Sequence, residues 1–359
     1  MDELAALVSL TETPLLGSIK IRLLLQRFGS AIESLRAHPK EIMQLPGFSP
    51  KVMQDWGKFK SNTMEIVDKF NFQIVPFTSP KYPKRLLELH DHPIILYVKG
   101  EIKNFDQHSI AIVGTRQASL YGKDMASKIA QDLASSGITV VSGLARGIDT
   151  EAHLGALKTG RTLAVIGSGL ANIYPHENVA LAERIAANGA LISEFPPETP
   201  PDRQNFPQRN RIVSGMTMGT LLIEAPLKSG AMITMQRAKE QGRKLFALPG
   251  RVDNENYHGN HHLIKNGDAD LIENAGDILN SFNGLFTYQS APPTKPMPHL
   301  EETEKQLLSL LPKEELSIDD IIKLSNLPVA KLNILLMSLV LKKVIREYPG
   351  KIYKRVTEF

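Results

Sequence analysis

The chain of 359 residues contains no cysteine, which excludes disulfide bonds and thiolate metal sites and is compatible with a reducing compartment. It contains no apolar run of about 18 residues, so we expect no membrane span. The first residues, Met1–Leu4, lack the basic start and apolar stretch of a secretory signal peptide. These absences predict a cytoplasmic protein, and the length predicts roughly two or three domains.

The two signs of charge are nearly balanced, and the small excess lies at one end of the chain. The formal net charge is +4. The segment from Lys342 to Phe359 has six basic and two acidic residues, so it carries the whole excess. A solvated tail and a phosphate-facing surface both explain such a segment, and the sequence leaves both open.

Residues 1–72 have the apolar spacing of helices, because large aliphatic residues recur at three- and four-residue intervals. The turn Leu45–Lys51 resembles a helix-hairpin-helix, in which glycines allow backbone N–H groups to face a DNA phosphate. Ser49 replaces the second glycine, so we favour a structural helix pair over a strong DNA contact. We predict a helical domain of the SAM or helix-hairpin-helix type for this stretch.

Residues 73–286 alternate apolar strands with helices. The first helix after a strand is predicted over Lys123–Ser136 and ends at Gly137. Continuous apolar strands between helices predict an α/β fold with a parallel sheet covered on both faces, and ligands bind such sheets beyond the carboxyl ends of the strands. The predicted strands are Ile110–Val113, Ile138–Val141, Thr162–Ile166, Ala190–Ser193, Thr220–Ile223 and Lys244–Leu248.

Residues 287–299 are rich in proline and are predicted to form a linker. Residues 300–359 have the pattern of three helices followed by a hairpin, which is the order of a winged-helix domain. Ser317 is predicted to cap one helix, Asn326–Pro328 to precede the next, and Pro349–Gly350 to turn the hairpin. The last helix is very apolar for a DNA-recognition helix, so it serves either duplex DNA or packing and protein contact.

Glycine follows several of the predicted strands, and these loops should lie on one edge of the sheet. Glycine lets the backbone approach a ligand closely, and the helix N-terminus beside such a loop attracts anions. Two of the loops also contain an arginine, which suits a chain of phosphates better than a single one. The loops are Gly114-Thr115-Arg116, Gly143 to Gly147 with Arg146, and Gly167-Ser168-Gly169.

The segment after a proline-rich run places three arginines, Arg203, Arg209 and Arg211, around Phe206. Single-stranded DNA is held by basic side chains on phosphates and by aromatic rings under bases, so this composition favours such a ligand. Ordinary surface arginines at a helix start are the alternative.

Three other ligands are weighed against DNA. Gly167–Asn172 begins like a dinucleotide fingerprint, but Asn172 stands at the third glycine and Pro175 breaks the helix that the fingerprint requires. No Walker A sequence occurs, so ATP hydrolysis is not expected. The cluster His258, His261 and His262, near Asp253 and Asp268, has no recognised metal-ligand spacing, and we favour a loop and helix start there. We expect neither a cofactor nor a metal.

Taken in order, these motifs resemble those of the DprA/Smf family from about residue 80 to residue 280. Each motif is weak alone, and together they are highly specific. They are Ile110–Arg116 with Ser119, Tyr121 and Gly122; Val141–Asp149 with His153; Gly167–Gly169 with Tyr174–Pro175; Phe206–Ile212; and Lys228–Ala231 with Thr234.

The resemblance implies an extended Rossmann-like domain between the N-terminal helical domain and the winged helix. It implies a non-enzymatic homodimer that binds single-stranded DNA and loads the RecA recombinase onto it during natural transformation, with single-strand binding protein as a further partner. In the family, the arginine of the first loop contacts DNA, which carries over to Arg116. Arg203 and Phe206 line the DNA path, with Arg209 and Arg211 as neighbours; alternatively, Arg209 and Asn210 hold the loop through carbonyls.

The expected DNA-binding residues lie in the glycine loops, the arginine-rich segment and the loop before Ala231. They are Gly114, Thr115, Arg116, Ser119, Gly143, Arg146, Gly147, Gly167, Ser168, Gly169, Arg203, Phe206, Arg209, Arg211, Ser229 and Gly230.

Two rival functions come from other classes. Gly219–Glu224 resembles the loop of the lysine decarboxylase-like nucleotide phosphoribohydrolases, in which a glutamate and an arginine cleave a nucleoside monophosphate. The double glycine of that loop is missing here, and Ser214–Met218 takes its place. The second rival is a transcription factor that reads duplex DNA with the winged helix.

Overall fold

The computed structural model describes residues 2–54, 56, 62–282, 284–286, 298–312, 315–348 and 350–356. The chain divides into two compact units, Met1–Ser290 and Ala291–Phe359. Most of the predicted linker, residues 287–297, lies outside the described residues, as does Pro349 of the predicted hairpin turn.

The first unit begins with short helices whose starts follow from local capping. The Asp2 carboxylate accepts a hydrogen bond from Ala5 N at 2.7 Å, and the Ser30 hydroxyl accepts one from Glu33 N at 3.1 Å. The turn Leu45–Lys51 connects two helices of four residues each. The helices are α1 (Glu3–Glu12), α2 (Ser18–Phe28), α3 (Ala31–Arg36), α4 (Pro39–Ile42), α5 (Pro50–Met53) and α6 (Thr63–Lys69).

Within the described residues, nine strands form one sheet in the order β1-β2-β6-β5-β4-β3-β7-β8-β9. All six predicted strands are present within one or two residues of their predicted bounds. The strands are β1 (Gln73–Pro76), β2 (Ile95–Gly100), β3 (Ser109–Val113), β4 (Thr139–Ser142), β5 (Thr162–Val165), β6 (Ala190–Ser193), β7 (Gly219–Leu222), β8 (Lys244–Ala247) and β9 (Asp270–Leu271).

The sheet is parallel from β6 through to β9, as the apolar strands predicted, but β1 and β2 add an antiparallel edge. This edge pairs β2 with β6, so that Tyr97 lies opposite Ser193. Neither β1 nor β2 was among the predicted strands. The sheet is therefore mixed, with its parallel part where the glycine loops are.

Helices cover the sheet and pack apolar residues against both of its faces. The first begins at Leu120 because the Ser119 hydroxyl accepts a hydrogen bond from Gly122 N at 3.0 Å, and it ends just before Gly137, whose φ is +78°. These helices are α7 (Leu120–Ser135), α8 (Ile148–Ala156), α9 (Val179–Asn188), α10 (Asn205–Gly215), α11 (Gly230–Glu240), α12 (His258–Lys265) and α13 (Ala275–Asn280).

The order of strands reverses at β3, which lies between β4 and β7. The chain adds β4, β5 and β6 on one side of β3, and then β7, β8 and β9 on the other. The loops that follow β3 and β7 therefore run in opposite directions and leave a crevice at the carboxyl edge, where ligands of open α/β sheets bind. All the predicted glycine loops follow parallel strands at this edge.

The N-terminal helices share a hydrophobic core with one face of the sheet. This core joins Leu10, Leu24 and Ile42 to Tyr97 and Leu191, all of them fully buried. The Arg22 guanidinium also lies 2.7 Å from the His92 ring nitrogen, just before β2. The boundary predicted between residues 72 and 73 remains a prediction, and apolar contacts cross it.

The second unit contains α14 (Glu302–Leu310), β10 (Leu316–Ser317), α15 (Ile318–Ser325), α16 (Val329–Leu341), β11 (Ile345–Tyr348) and β12 (Ile352–Arg355). The Ser317 hydroxyl caps α15 by accepting a hydrogen bond from Asp320 N, and Asn326 ends it with φ +51°, as the sequence predicted. The three strands pair in the order β10-β12-β11, which gives the predicted winged helix.

The outer face of α16 is apolar. Leu332, Leu336 and Leu339 are buried in the core of this unit, whereas Ile334 and Leu341 are more than 70% exposed. Among the described residues, no single helix is long and apolar enough to cross a membrane; α15 and α16 reach that length only together, and the pair is bent by 113°.

Candidate functional site

A small pocket opens at the carboxyl edge of the sheet, on the β4–β5 side of the crevice. It lies between the loops that follow β3, β4 and β5 and the start of α10. Several residues predicted from the sequence meet there. Its lining consists of Arg116, Gly143, Ala145, Arg146, Tyr174, Pro175 and Phe206.

An aromatic ring with a cation above it forms one wall of the pocket. The Arg116 guanidinium carbon lies 5.3 Å from the centroid of the Phe206 ring, within the range of a cation–π contact. The Tyr174 ring lies 5.9 Å from the same ring at an angle of 49°. Gly167 lies directly behind Phe206, because a Cβ there would be 2.8 Å from the Phe206 ring. The ring is therefore fixed from behind and half-buried.

Arg209, one helical turn beyond Phe206, points inward instead of toward the pocket. Its side chain is buried, and its Nη1 donates to the carbonyl oxygens of Gly143, at 2.5 Å, and Val165. It thereby ties the ends of β4 and β5 together. Burial lowers the pKa of this guanidinium to about 10, opposed by the charge of Asp149. The structure thus places Arg209 in the loop-holding role that the sequence left as the alternative.

The loop after β4 is shaped around a buried carboxylate and a close backbone contact. Asp149 Oδ2 accepts hydrogen bonds from Gly143 N at 3.1 Å and Ala145 N at 3.3 Å. Burial raises the pKa of Asp149, while the neighbouring Arg209 lowers it. Gly147 has φ +76°, and a Cβ there would lie 2.4 Å from the carbonyl oxygen of Thr115. The loop that carries Arg116 therefore rests directly on the backbone of the β4 loop.

Arg146 lies at the rim of the pocket, and its charge is already paired. Its guanidinium forms a bidentate ion pair with Glu177, in which Nη2 lies 2.9 Å from Oε2. Both side chains are more than half exposed, so the pair contributes little to folding stability and a phosphate can compete with it.

The crevice at the strand reversal is filled by a carboxylate of the protein. Glu224 lies two residues after the end of β7, is fully buried, and lies under the N-terminus of α7. It accepts hydrogen bonds from Ser119 N and from the Ser119 hydroxyl at 2.7 Å, and from the opposite side it contacts Asn256 Nδ2 at 3.0 Å and the Tyr257 hydroxyl at 3.3 Å. A Cβ at Gly122 would lie 2.0 Å from Glu224 Oε2.

This arrangement argues against the phosphoribohydrolase alternative. A helix N-terminus at the strand reversal is where open α/β sheets receive an anionic ligand. Here Glu224 supplies the negative charge itself, and its oxygens are occupied by donors of the protein. The glutamate that the alternative requires beside its substrate is thus buried and fully engaged.

Other predicted residues lie outside the pocket. The Ser168 hydroxyl is buried and donates to Asn172 O at 2.6 Å, and Gly169 packs on the backbone of Pro196 and Pro197. Arg211 is mostly buried and pairs with Glu194 and, at 3.5 Å, with Asp91. Ser168, Gly169 and Arg211 therefore make contacts within the protein.

Arg203 is exposed in the turn before α10. It does not line the pocket, but it precedes Phe206 by three residues in the sequence. Ser229 caps α11 and, with Gly230, borders a separate open groove lined also by Leu227, Lys228 and Ile233. Neither Tyr174 nor Glu224 was predicted as a site residue from the sequence. For Tyr174 an adequate signal was present, namely an aromatic residue in the loop after a parallel strand.

The histidine cluster has internal partners. His261 Nε2 lies 3.0 Å from Gly250 O, and His262 Nε2 lies 3.1 Å from Asn266 Nδ2. Among the residues that the structure describes, no three histidine, aspartate or glutamate side chains converge so that they could hold a metal ion.

Comparison with known proteins confirms the family expected from the motifs. The family model described as DNA recombination-mediator protein A matches residues 73–283, and the DprA winged helix domain matches residues 291–351. The Protein Smf of Synechocystis sp. is 32% identical, over 94% of this chain and 95% of its own. The DNA processing protein DprA of Bacillus subtilis is 41% identical, over 57% of this chain and 69% of its own.

Two solved structures are similar over nearly their whole length. The X-ray structure of DprA from Streptococcus pneumoniae superposes with a TM-score of 0.70 and 32% identity, covering 80% of this chain and 99% of that one. A structure of DprA from Helicobacter pylori, described as giving insights into its single-stranded DNA binding mode, has a TM-score of 0.55 and 32% identity, covering 61% and 99%. The chain therefore belongs to the DNA recombination-mediator protein A (DprA/Smf) family.

Proposed function

We propose that this protein binds single-stranded DNA at the carboxyl edge of its sheet, with little preference for sequence. The observation that carries the proposal is the cluster of Arg116, Phe206 and Tyr174 in one solvent-accessible pocket. Every base has an aromatic face, so a half-buried ring can stack on any base while arginines neutralise the phosphates.

In this proposal Phe206 and Tyr174 contact bases, and Arg116, Arg146 and Arg203 contact phosphates. Gly143, Gly147 and Gly167 allow the loops and the Phe206 ring to approach each other. Arg209 and Ser119 act as positioning residues, because their donors are bonded inside the protein. The described binding mode of the Helicobacter pylori relative supports this choice of ligand.

The biological role that we propose for this binding is based on the family to which the chain belongs. Members of this family are recombination mediators, so we propose that the DNA-bound protein acts as a homodimer, in the cytoplasm, to load RecA during natural transformation or related DNA processing. Single-strand binding protein is proposed as a further partner.

Binding of a labelled oligothymidylate and of a duplex of equal length tests the proposal, with wild type, Phe206→Ala and Arg116→Ala. We expect a preference for the single strand and a loss of about 1–3 kcal/mol in binding free energy for Phe206→Ala. Phe105→Ala is the matched control, because an arginine, Arg161, also lies over that exposed ring, 5.4 Å away, at the opposite edge of the sheet.

Equal binding of duplex and single strand, unchanged by Phe206→Ala and Arg116→Ala, would contradict the proposal. A RecA-loading assay on DNA coated with single-strand binding protein then tests the mediator role. In that assay Phe206→Ala should slow RecA filament formation in proportion to its loss of DNA binding.

A further inference from the structure

We propose a second base-stacking subsite at Tyr121, on the far side of the Thr115–Ser119 loop from Phe206. This inference rests on the proposed single-stranded DNA binding and extends it. The strand leaves the Phe206 pocket, crosses that loop at the carboxyl edge, and places a further base against the Tyr121 ring.

Tyr121 has the exposure and the support that a stacking platform needs. It lies in the first turn of α7, at the carboxyl edge of the sheet, and is 42% exposed. Its ring lies 6.2 Å from the ring of Tyr257, which is buried. Burial raises the pKa of the Tyr257 phenol. The phenol therefore keeps its proton and can donate it in a hydrogen bond to Glu224. Tyr121 is thus backed by a second ring that is itself held in place.

An exposed arginine follows, in sequence, the glycine on which the Tyr257 ring packs. The Tyr257 ring packs on Gly250, where a Cβ would lie 2.1 Å from the ring. The residue after Gly250 is Arg251, and its side chain is 81% exposed. Its ion pair with Asp253, at 2.7 Å, is also exposed, so a phosphate can compete for the guanidinium.

One loop connects the two subsites and holds them at a fixed separation. Arg116, over Phe206, lies near its start, and Tyr121 follows five residues later, so their Cα atoms are at most about 18 Å apart. The loop is fixed at both ends by Glu224: its carbonyl accepts from Thr115 N at 2.7 Å, and its carboxylate binds Ser119.

The two subsites contain the same kinds of residue. Each has an accessible ring, a second ring that contacts it, and an exposed arginine, and both lie at loops that follow parallel strands. Proteins that bind single strands without reading sequence hold successive bases on such rings and the backbone with such cations. A continuous strand therefore explains both sites, whereas one nucleotide explains only the first.

The test compares oligothymidylates of about four and about sixteen nucleotides on the full chain. Wild type, Tyr121→Ala, Tyr121→Phe, Phe206→Ala and the Phe105→Ala control are measured by fluorescence anisotropy. We expect Tyr121→Ala to weaken the long oligonucleotide about 5- to 150-fold and to leave the short one unchanged. Tyr121→Phe retains the ring and should bind both like wild type.

Phe206→Ala should weaken both oligonucleotides, which separates the two proposals. If it does so while Tyr121→Ala changes neither, the second subsite is wrong and the proposed function stands. If Tyr121→Ala weakens both equally, the residue acts on the first pocket through the loop, and the second subsite is again wrong. Failure of wild type to bind either oligonucleotide overturns both proposals.

Photocrosslinking of wild type provides a measurement that does not depend on the folding of a variant. A long oligonucleotide with 5-iododeoxyuridine at successive positions should crosslink to the peptide that contains Tyr121 at one position and to the peptide that contains Phe206 at another. Crosslinks to the Phe206 peptide alone, at every position, would contradict the second subsite.

Discussion

Arg116 and Arg209 lie at the same pocket, and their surroundings give them different functions. Arg116 is exposed over a ring, whereas Arg209 is buried with its donors on two carbonyl oxygens. We predict that Arg209→Ala lowers the free energy of unfolding by about 3 kcal/mol, because those carbonyls and Asp149 lose a charged partner.

Arg116→Ala should change the same free energy by less than about 1 kcal/mol and should instead weaken DNA binding. Urea unfolding followed by circular dichroism measures both variants under the same conditions. Equal stability losses in the two variants would contradict the division between a positioning and a contacting arginine.

Glu177 neutralises Arg146 at the rim of the pocket, so its removal should favour a phosphate ligand. Glu177→Gln keeps the size of the side chain and removes the charge that competes with DNA. We expect it to tighten oligothymidylate binding about two- to fivefold at low salt, because the exposed pair it breaks contributes little to folding. Glu183→Gln, which breaks the exposed pair with Lys99, is the control and should leave affinity unchanged.

His153 is fully buried behind the β4 loop, with its Nδ1 2.7 Å from the Thr162 hydroxyl oxygen. Burial, with the nearby charge of Arg209, lowers its pKa from 6.5 to about 3. Below pH 6.5 His153 binds a proton in the unfolded chain but stays neutral in the folded chain. Folding stability should therefore fall as the pH falls from about 6.5 toward 3, by up to about 1.4 kcal/mol per pH unit.

His153→Gln removes that titration, so the slope of stability against pH between about pH 6.5 and about pH 4 should be smaller in the variant. Urea midpoints of both proteins across this range provide the measurement. Identical slopes would show that His153 is not kept neutral by the fold.

At the scale of single residues, the sequence indicated which residue types form the pocket but not which way they point. Phe206 and Arg116 were assigned as DNA contacts, and the structure brings them together. Arg209 and Arg211, in the same segment, point into the protein, because α10 turns successive residues to different sides. A segment that contains both exposed and buried arginines cannot be sorted by composition alone.

At the scale of elements, Glu224 joins the first turn of α7 to the loop that precedes it. A carboxylate there satisfies helix N–H groups and interacts favourably with the helix dipole. Glu224→Gln replaces an acceptor by an NH₂ group that faces the Ser119 or Asn256 donors, so we expect a loss of about 1–3 kcal/mol in the free energy of unfolding.

The same variant should expose the start of α7 to solvent. Hydrogen exchange should become faster at Ser119 and in the first turn of α7, while β4 and β5 remain protected. Unchanged exchange at Ser119 would show that Glu224 does not fix this loop.

The elements themselves were largely predictable. Fully buried parallel strands are continuous apolar runs, and all six such runs are strands in the structure. β1 has no comparable signal, because its place at the edge of the sheet depends on pairing with β2. β2 is itself an apolar run, which was not predicted as a strand, and its antiparallel direction depends on pairing with β6, about 90 residues away in the sequence. The exposed apolar face of α16 confirms that this helix is very apolar, and it is poorly suited to hydrogen-bond the edges of bases.

At the scale of the whole molecule, net charge says little about DNA binding, because the pocket depends on a few arginines. For a short oligothymidylate of about four nucleotides, contacts from Arg116, Arg146 and Arg203 predict a slope of about −2 for log affinity against log salt. Arg116→Ala should reduce that slope to about −1.4. Titrations at several salt concentrations measure it.

For a long oligothymidylate of about sixteen nucleotides, a slope much steeper than about −4 would indicate that the basic C-terminal segment also binds the strand. Two of the cations of that segment have partners inside their own unit, since Lys342 pairs with Glu304 at 2.6 Å and Lys354 with Glu315 at 3.7 Å. This pairing favours the smaller slope.

The core shared by the N-terminal helices and the sheet affects how the chain folds while it is being made. The helices leave the ribosome first, but their apolar faces are completed by Tyr97 and Leu191. At about 5–20 residues per second, the ribosome needs on the order of ten seconds to get from residue 72 to residue 191. During that interval the nascent helices have an unburied apolar surface. We therefore expect chaperones that act at the ribosome to bind this part of the chain.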